Sequence, residues 1–170
     1  KYIDMLERAL YNTVLDGFSI KGTSFYYPNR LETSERGNPR SEWFGTSCCP
    51  TNLCRLIPSV PGYVYATGFN SLYVNLFVGS NAEVTVGSSK LSMEQQTNYP
   101  YTGTVKINCQ QTADLGTDNG SLQNILIRIP GWAVNKPVES DLYSYVNPTT
   151  MPVVIKNDNV EYQYEMNKGY

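Results

Sequence analysis

The chain has 170 residues, with 13 basic and 15 acidic side chains and no histidine. The nearly balanced charge gives no electrostatic reason to expect nucleic acid or an anionic membrane as a partner. No apolar run approaches the roughly 20 residues of a membrane-spanning helix. Without histidine, a Ser-His-Asp triad, a Cys-His pair or a His-rich zinc site cannot be built within the chain. Acid–base chemistry would therefore fall to carboxylates, thiols, lysine or tyrosine.

Residues 1–16 have the spacing of an amphipathic helix, and Asp16-Gly17 supplies its stop signal. The apolar residues at helical intervals are Ile3, Leu6, Leu10 and Val14. One helix cannot bury its own stripe, so we expect it to belong to a helical array whose other members lie outside the chain. The chain opens inside this pattern without an initiator methionine, which predicts a piece of a longer protein. An exposed stripe would lead to self-association.

Two adjacent cysteines, Cys48 and Cys49, follow a polar loop. Pro50 suits the first position of a short helix that Pro58 would stop. Free N–H groups and the helix dipole would favour thiolate at both sulfurs. By spacing alone the pair has three open interpretations: metal ligands, a nucleophile, or inert thiols, either buried or in a strained vicinal disulfide. Two sulfurs do not complete a zinc site, and absent sequence is favoured over Cys54 or nearby carboxylates as the source of the other ligands.

The aromatic and basic side chains near the cysteines each have a functional and a structural interpretation. Trp43 and Phe44 suit a stacking platform for a sugar ring, or hydrophobic packing beneath the loop. Arg40 and Arg55 flank the thiols and would hold them ionised, bind a carboxylate, or form ordinary salt bridges. These alternatives stay open at the level of sequence.

The nearby carboxylates and the other two cysteines are weaker candidates. A pair of acids at suitable separation performs glycoside hydrolysis, but solvated loop carboxylates are the default interpretation. The candidate acids are Glu32, Glu35 and Glu42. Core packing is favoured for Cys54, on the short helix, and for Cys109, which shares strand parity with Val105 and Ile107.

From about Tyr63 the apolar period changes to two, which indicates β-strands. Seven or so short strands are separated by Gly, Asn and Pro turns, which is typical of an antiparallel β-sandwich. They fall near residues 72–78, 84–86, 91–93, 105–109, 125–129, 153–155 and 160–164. We therefore predict a mainly β chain, with a helical tail over residues 1–65 and a β-sandwich domain over residues 66–170.

A succession of motifs resembles one known family. The motifs are Glu7-Arg-Ala-Leu-Tyr-Asn12, Phe25-Tyr-Tyr-Pro-Asn-Arg-Leu-Glu32, Cys48-Cys-Pro-Thr-Asn-Leu-Cys-Arg55, Leu72-Tyr-Val-Asn-Leu76, Asn98-Tyr-Pro-Tyr-Thr-Gly103, Arg128-Ile-Pro-Gly-Trp-Ala133 and Lys168-Gly-Tyr170. Their order is similar to glycoside hydrolase family 127, the β-L-arabinofuranosidase family once labelled as a domain of unknown function. The Cys-Cys-Pro-x-Asn and Arg-Ile-Pro-Gly-Trp blocks together make the resemblance specific.

The resemblance implies an (α/α)6 catalytic barrel, whose last helices would be residues 1–65, followed by β-sandwich domains. It implies that Cys48 is the catalytic nucleophile and a zinc ligand, and that Cys49 is a second zinc ligand. The family's other two ligands, its acid/base glutamate and its substrate-binding histidines would lie upstream of Lys1. The implied enzyme is a retaining hydrolase of β-L-arabinofuranosides or similar plant-glycan sugars. We expect the 170-residue chain alone to be inactive and to lack a complete zinc site.

Two features depart from the family pattern. The order Tyr27-Pro-Asn-Arg-Leu stands where the family has Asn-Pro-Leu, and the chain ends as a sandwich strand should begin. Two other classes of function stay open. One is a non-catalytic sugar-binding module that stacks sugars on Trp43, Trp132 and tyrosines, and the other is a structural sandwich that packs against a partner or a second copy. The compartment is open as well, with a bacterial cytoplasm or periplasm expected.

Overall fold

The computed structural model describes residues 1–28, 32, 37, 39–116 and 120–170. The chain forms two compact units. The helical unit comprises residues 2–61, and the strand unit comprises residues 62–170 together with Lys1. No helix among the described residues is long and apolar enough to cross a membrane.

The helical unit begins with the helix that the sequence predicts. Helix α1, Tyr2–Ala9, continues into a π-helical turn over Leu10–Val14. Leu10 is buried, and the other members of the predicted stripe are half-buried. The strongly exposed apolar side chains of this helix are instead Tyr2 and Met5. Self-association through this helix stays a prediction.

The second helix of this unit carries the cysteine pair. Helix α2, Cys48–Leu56, passes into a 3-10 turn over Ile57–Ser59, and the short α3, Pro61–Val64, follows. Pro58 therefore lies inside the tighter turn, because a proline near the start of a new turn gives up no hydrogen bond there. Single bridges join Phe25 to Phe18 and Ser41, which brings the aromatic segment beside the chain that leads into α2.

Two three-stranded sheets and one hairpin are formed by the described residues of the strand unit. The first sheet has the order β1-β2-β6, with β1 Tyr65–Thr67, β2 Ser71–Val74 and β6 Asn124–Ile127. The second has the order β3-β4-β5, with β3 Ser80–Val86, β4 Ser89–Thr97 and β5 Val105–Asp114. The hairpin pairs β7, Ile155–Asn157, with β8, Val160–Tyr162.

One strand pair departs from the predicted antiparallel arrangement. Strand β2 pairs with β6 in parallel, with Leu72 opposite Ile125, whereas the other described pairs are antiparallel. A parallel pair needs a long crossover between its strands, and the whole second sheet lies between β2 and β6 in the sequence. The prediction of a purely antiparallel arrangement is therefore wrong for this pair.

Both sheets contribute to one hydrophobic core. Its fully buried members are Leu72 from β2, Val86 from β3, and Leu91 and Met93 from β4. Burial alternates along β4, as the period of two predicts for a strand with one covered face. The chain is thus mainly β with few helices, while the sandwich and the barrel themselves stay predictions.

Cys109 is exposed, so the prediction of a buried strand thiol is wrong. Strand β5 lies at the edge of its sheet and, within the described part of the chain, pairs with β4 alone. The core cluster reaches β5 at Ile107 and does not extend to Cys109. Strand parity gives the face on which a residue lies, but it does not give how far the core extends along that face.

Three of the sequence motifs meet in the strand unit around Asn75, which is buried. The Nε group of Arg128 donates a hydrogen bond to the carbonyl oxygen of Asn75, and the hydroxyl of Tyr170 donates to its side-chain oxygen. The N–H of Ile129 donates to the carbonyl of Gly169 at 2.9 Å. Buried polar groups need hydrogen-bond partners, and these contacts give Asn75 its partners from the two later motifs.

Candidate active site

The two adjacent cysteines lie in the first turn of α2. The helix begins at Cys48, with Ser47 at the N-cap position, two residues before the predicted start at Pro50. The carbonyl of Ser47 accepts the first helical hydrogen bond from the N–H of Thr51 at 3.1 Å. Both thiols are free and exposed. They therefore lie at the end of the helix where N–H groups and the helix dipole favour negative charge.

The spacing of the two sulfurs fits the edge of a tetrahedral metal site. The Sγ atoms of Cys48 and Cys49 are 3.8 Å apart. Two Zn–S bonds of about 2.3 Å at the tetrahedral angle place their sulfurs about 3.8 Å apart. Among the residues that the structure describes, no three His, Cys, Asp or Glu side chains come together to hold a metal ion. The pair thus fits two of the four positions around zinc.

A tyrosine that the sequence analysis did not single out as a site residue contacts the first thiol. The hydroxyl of Tyr27 lies 2.9 Å from the Sγ atom of Cys48. The ring of Tyr27 packs against Phe44, with ring centroids 5.3 Å apart. The signal for Tyr27 in the sequence is its place in the aromatic Phe25–Glu32 motif, but pairing across 21 residues cannot be read from spacing.

These contacts shift the pKa values of Tyr27, Cys48 and Cys49 in different directions. The hydrogen bond with Cys48 raises the pKa of Tyr27 to about 12. The hydrogen bond from Tyr27, and then the one with Cys49, lower the pKa of Cys48. The hydrogen bond with Cys48 raises the pKa of Cys49. Of the two thiols, Cys48 is therefore the one favoured as thiolate, and Tyr27 keeps its proton.

Arg40 forms an ordinary ion pair, which was one of its three interpretations. Its Nη2 group donates to the backbone oxygen of Asp16 at 2.9 Å and lies 3.3 Å from the Asp16 carboxylate. Its guanidinium also lies over the ring of Tyr26, at 4.1 Å from the centroid. The structure shows these partners for Arg40 and gives no contact of Arg40 or Arg55 with the thiols among the described residues.

A cavity of about 240 Å³ lies on another side of α2. Trp43 and Phe44 line it together, as a stacking platform would require, and Trp43 is 76% exposed. The other lining residues are Phe25, Glu42, Ser47, Pro50, Thr51 and Cys54. Cys54 is exposed there, so the prediction of core packing is wrong for this thiol. The side of α2 that carries Cys54 borders open space rather than a packed neighbour.

The remaining candidates of the sequence analysis are dispersed. Glu42 lines the cavity and Glu32 is exposed outside it, whereas Glu35 lies outside the described residues. Trp132 belongs to the strand unit, where its ring lies 6.2 Å from that of Tyr99 with 30° between the planes. A role of Trp132 in sugar stacking stays a prediction.

Comparison with family models divides the chain into two parts. Residues 1–62 match the model described as beta-L-arabinofuranosidase, GH127 catalytic domain. Residues 71–164 match the model described as beta-L-arabinofuranosidase, GH127 middle domain. The second match alone covers more than half of the chain, and the site described above lies within the first.

Three similar proteins support the same assignment. The non-reducing end beta-L-arabinofuranosidase of Bifidobacterium longum is 37% identical over 145 residues, which cover 78% of this chain and 21% of that protein. A solved GH127 beta-arabinofuranosidase is 37% identical with a TM-score of 0.87, covering 99% of this chain and 25% of that one. A GH127 beta-L-arabinofuranosidase from Geobacillus stearothermophilus T6 is 33% identical with a TM-score of 0.65, covering 78% of this chain and 21% of that one. The chain thus spans about a fifth of the curated relative's length.

Proposed function

Because the chain belongs to glycoside hydrolase family 127, we propose that the full-length protein is a retaining glycosidase in which Cys48 is the nucleophile. Its substrates are glycans that carry β-L-arabinofuranosides or related plant sugars. The observation that carries this proposal is the pair of exposed thiols at the start of α2, in the part of the chain that matches the catalytic-domain model. Within this pair, the Tyr27 hydrogen bond favours Cys48 as the thiolate.

The proposed reaction is a double displacement at the anomeric carbon. The Cys48 thiolate attacks this carbon, and an S–C bond forms while the C–O bond to the leaving group breaks. A carboxylic acid of the full-length protein, upstream of Lys1, protonates the leaving oxygen. Water then attacks the same carbon, the sulfur departs with its electron pair, and the carboxylate takes the proton of the water. Two inversions give retention.

Zinc fits the pair as a resident metal. Cys48 and Cys49 would hold it with their two sulfurs, which the 3.8 Å spacing supports. Bound zinc would keep both thiols deprotonated at neutral pH. By family resemblance, the remaining two ligands would be a glutamate and a cysteine upstream of Lys1. We likewise propose that residues 1–65 close an (α/α)6 barrel and that residues 66–170 form a β-sandwich.

The test compares three serine variants of the full-length protein on an aryl β-L-arabinofuranoside. We expect Cys48→Ser to lose at least about a thousandfold in kcat, because a serine hydroxyl without a base is a far weaker nucleophile than a thiolate. Cys109→Ser should retain wild-type turnover, since Cys109 is an exposed thiol on β5, outside the helical unit that carries the cysteine pair. Cys49→Ser removes one proposed zinc ligand but keeps the nucleophile. Zinc content is measured on all three variants, so that the turnover lost with the metal in Cys49→Ser can be compared with the turnover lost in Cys48→Ser. This comparison separates the role of Cys48 as a ligand from its role as the nucleophile. Undiminished turnover in Cys48→Ser would refute the nucleophile assignment.

A further inference from the structure

Tyr27 is held in place at the thiol that the proposed reaction uses. Its hydroxyl lies 2.9 Å from the Sγ atom of Cys48, within hydrogen-bond reach of sulfur. Its ring packs on Phe44 at 5.3 Å, which fixes the direction of the hydroxyl from the opposite end of the side chain. The sulfur is therefore positioned by the helix that carries it and by a hydrogen bond with a tyrosine hydroxyl from a separate segment.

We infer that Tyr27 is a positioning residue whose hydroxyl donates to the Cys48 sulfur while that sulfur is negative, and so assists its departure in the second displacement. This inference rests on the proposed function, since it needs Cys48 to be the nucleophile. Tyr27 transfers no proton in either displacement. Its hydrogen bond weakens as the S–C bond forms and strengthens again as the S–C bond breaks.

The effect of the Tyr27 hydrogen bond on each step follows from how the charge on the Cys48 sulfur changes during the reaction. Sulfur is a thiolate in the free enzyme, a neutral thioether in the glycosyl-enzyme, and partly charged in both transition states. A hydrogen bond to a charged acceptor is about twice as strong as one to a neutral acceptor. The Tyr27 bond therefore stabilises the free enzyme most, the transition states less, and the intermediate least. It slows the attack by Cys48 slightly and speeds the release of the sugar.

Removal of the hydroxyl thus has a kinetic signature that general damage to the fold lacks. The barrier from free enzyme and substrate to the first transition state should stay level or fall, whereas the barrier out of the intermediate should rise. The parameter kcat/KM reports the first of these barriers, and kcat reports the second when sugar release limits turnover. A merely structural role of Tyr27 would instead lower both parameters together or lower the active fraction.

The experiment measures Tyr27→Phe in the full-length, zinc-loaded protein on an aryl β-L-arabinofuranoside with a good leaving group, which makes sugar release limiting. We expect kcat to fall about tenfold, kcat/KM to stay level or rise, and glycosyl-enzyme on Cys48 to accumulate in quenched samples. The matched control is Tyr26→Phe, the neighbouring residue, whose ring contacts Arg40 rather than a thiol. It should show wild-type kinetics. The amplitude of the initial burst of aryl alcohol gives the concentration of folded, active enzyme. Rates are divided by this concentration, so partial unfolding of a variant does not change the comparison of kcat and kcat/KM.

Three results would overturn the inference. The first is an equal fall of kcat and kcat/KM in Tyr27→Phe without accumulation of the intermediate. The second is wild-type kinetics in Tyr27→Phe, and the third is the same kinetic split in Tyr26→Phe. Failure of the proposed function is recognised separately, because Cys48→Ser would then keep its turnover or the adduct would form on another residue.

Discussion

Cys48 and Cys49 have identical side chains and adjacent places in the chain, yet their surroundings differ. Cys48 shares a 2.9 Å hydrogen bond with the hydroxyl of Tyr27, and this bond is the largest cause of its lowered pKa. The pKa of Cys49 is raised, first by its own hydrogen bond with Cys48. Two like charges 3.8 Å apart also oppose each other, so ionisation of one thiol makes ionisation of the other less favourable.

This difference predicts an order of reactivity with iodoacetamide in the metal-free protein. The reagent reacts with thiolate, and a lowered pKa moves the midpoint of the rate profile to lower pH. Cys48 should therefore be modified at lower pH than Cys49. Cys109 should also react only at higher pH than Cys48, because partial desolvation of its otherwise exposed thiol raises its pKa.

Peptide mass spectrometry after timed alkylation at a series of pH values measures each midpoint separately. In the Tyr27→Phe variant the midpoint of Cys48 should move upward, while that of Cys109 stays in place. Modification of Cys49 ahead of Cys48 would show that the hydrogen bond does not set the order.

At the residue scale, sequence reasoning identified the cysteine pair and missed its partner. The pair stands out because adjacent cysteines at a helix start have few ordinary uses. Tyr27 is joined to Cys48 only by the fold, so no spacing rule finds it. The assignments of Cys54 and Cys109 to the core were wrong for a related reason. Periodicity gives the face of an element but not what covers that face.

At the scale of elements, the core of the strand unit depends on side chains that both sheets share. Leu72 on β2 is fully buried in a cluster with Leu91 and Met93 on β4. These positions follow the period of two seen in the sequence. The core is therefore the part of the fold that the sequence predicts best, because alternation and burial express the same physical requirement.

Truncation of this core should be costly. We expect Leu72→Ala to lower the free energy of unfolding by about 2–5 kcal/mol, the range for Leu→Ala in a packed core. The matched control is Leu142→Ala, the same change at a side chain that is 77% exposed, which should cost less than about 0.5 kcal/mol. Urea denaturation of the two variants checks both values, and equal losses would contradict the assignment of the core.

The sequence predicts which segments form strands better than it predicts which strands pair. Strands β3 and β4 are neighbours in the chain and pair antiparallel through a tight turn. Strand β6 instead returns to pair in parallel with β2 after the whole second sheet has intervened. Local turn signals specify the first pairing, but nothing local specifies the second. The start of α2 was predicted within two residues for the opposite reason, since helix starts carry local signals.

At the scale of the whole molecule, the chain combines parts of two family domains. Residues 1–62 match the catalytic-domain model and residues 71–164 match the middle-domain model. The candidate site lies in the first part, where Cys48, Cys49 and Tyr27 come together. These residues would supply the nucleophile, half of a zinc site and the positioning hydroxyl. The acid and the remaining ligands belong to the full-length protein of the proposal.

The most direct test of this account is the identity of the atom that carries the sugar during turnover. Full-length enzyme is mixed with an aryl β-L-arabinofuranoside, quenched with acid in the steady state, digested and sequenced by tandem mass spectrometry. We predict a single pentosyl adduct on the sulfur of Cys48, which the Tyr27→Phe variant should enrich. An adduct on a carboxylate or on Cys49, or turnover without any adduct in Tyr27→Phe, would contradict the account.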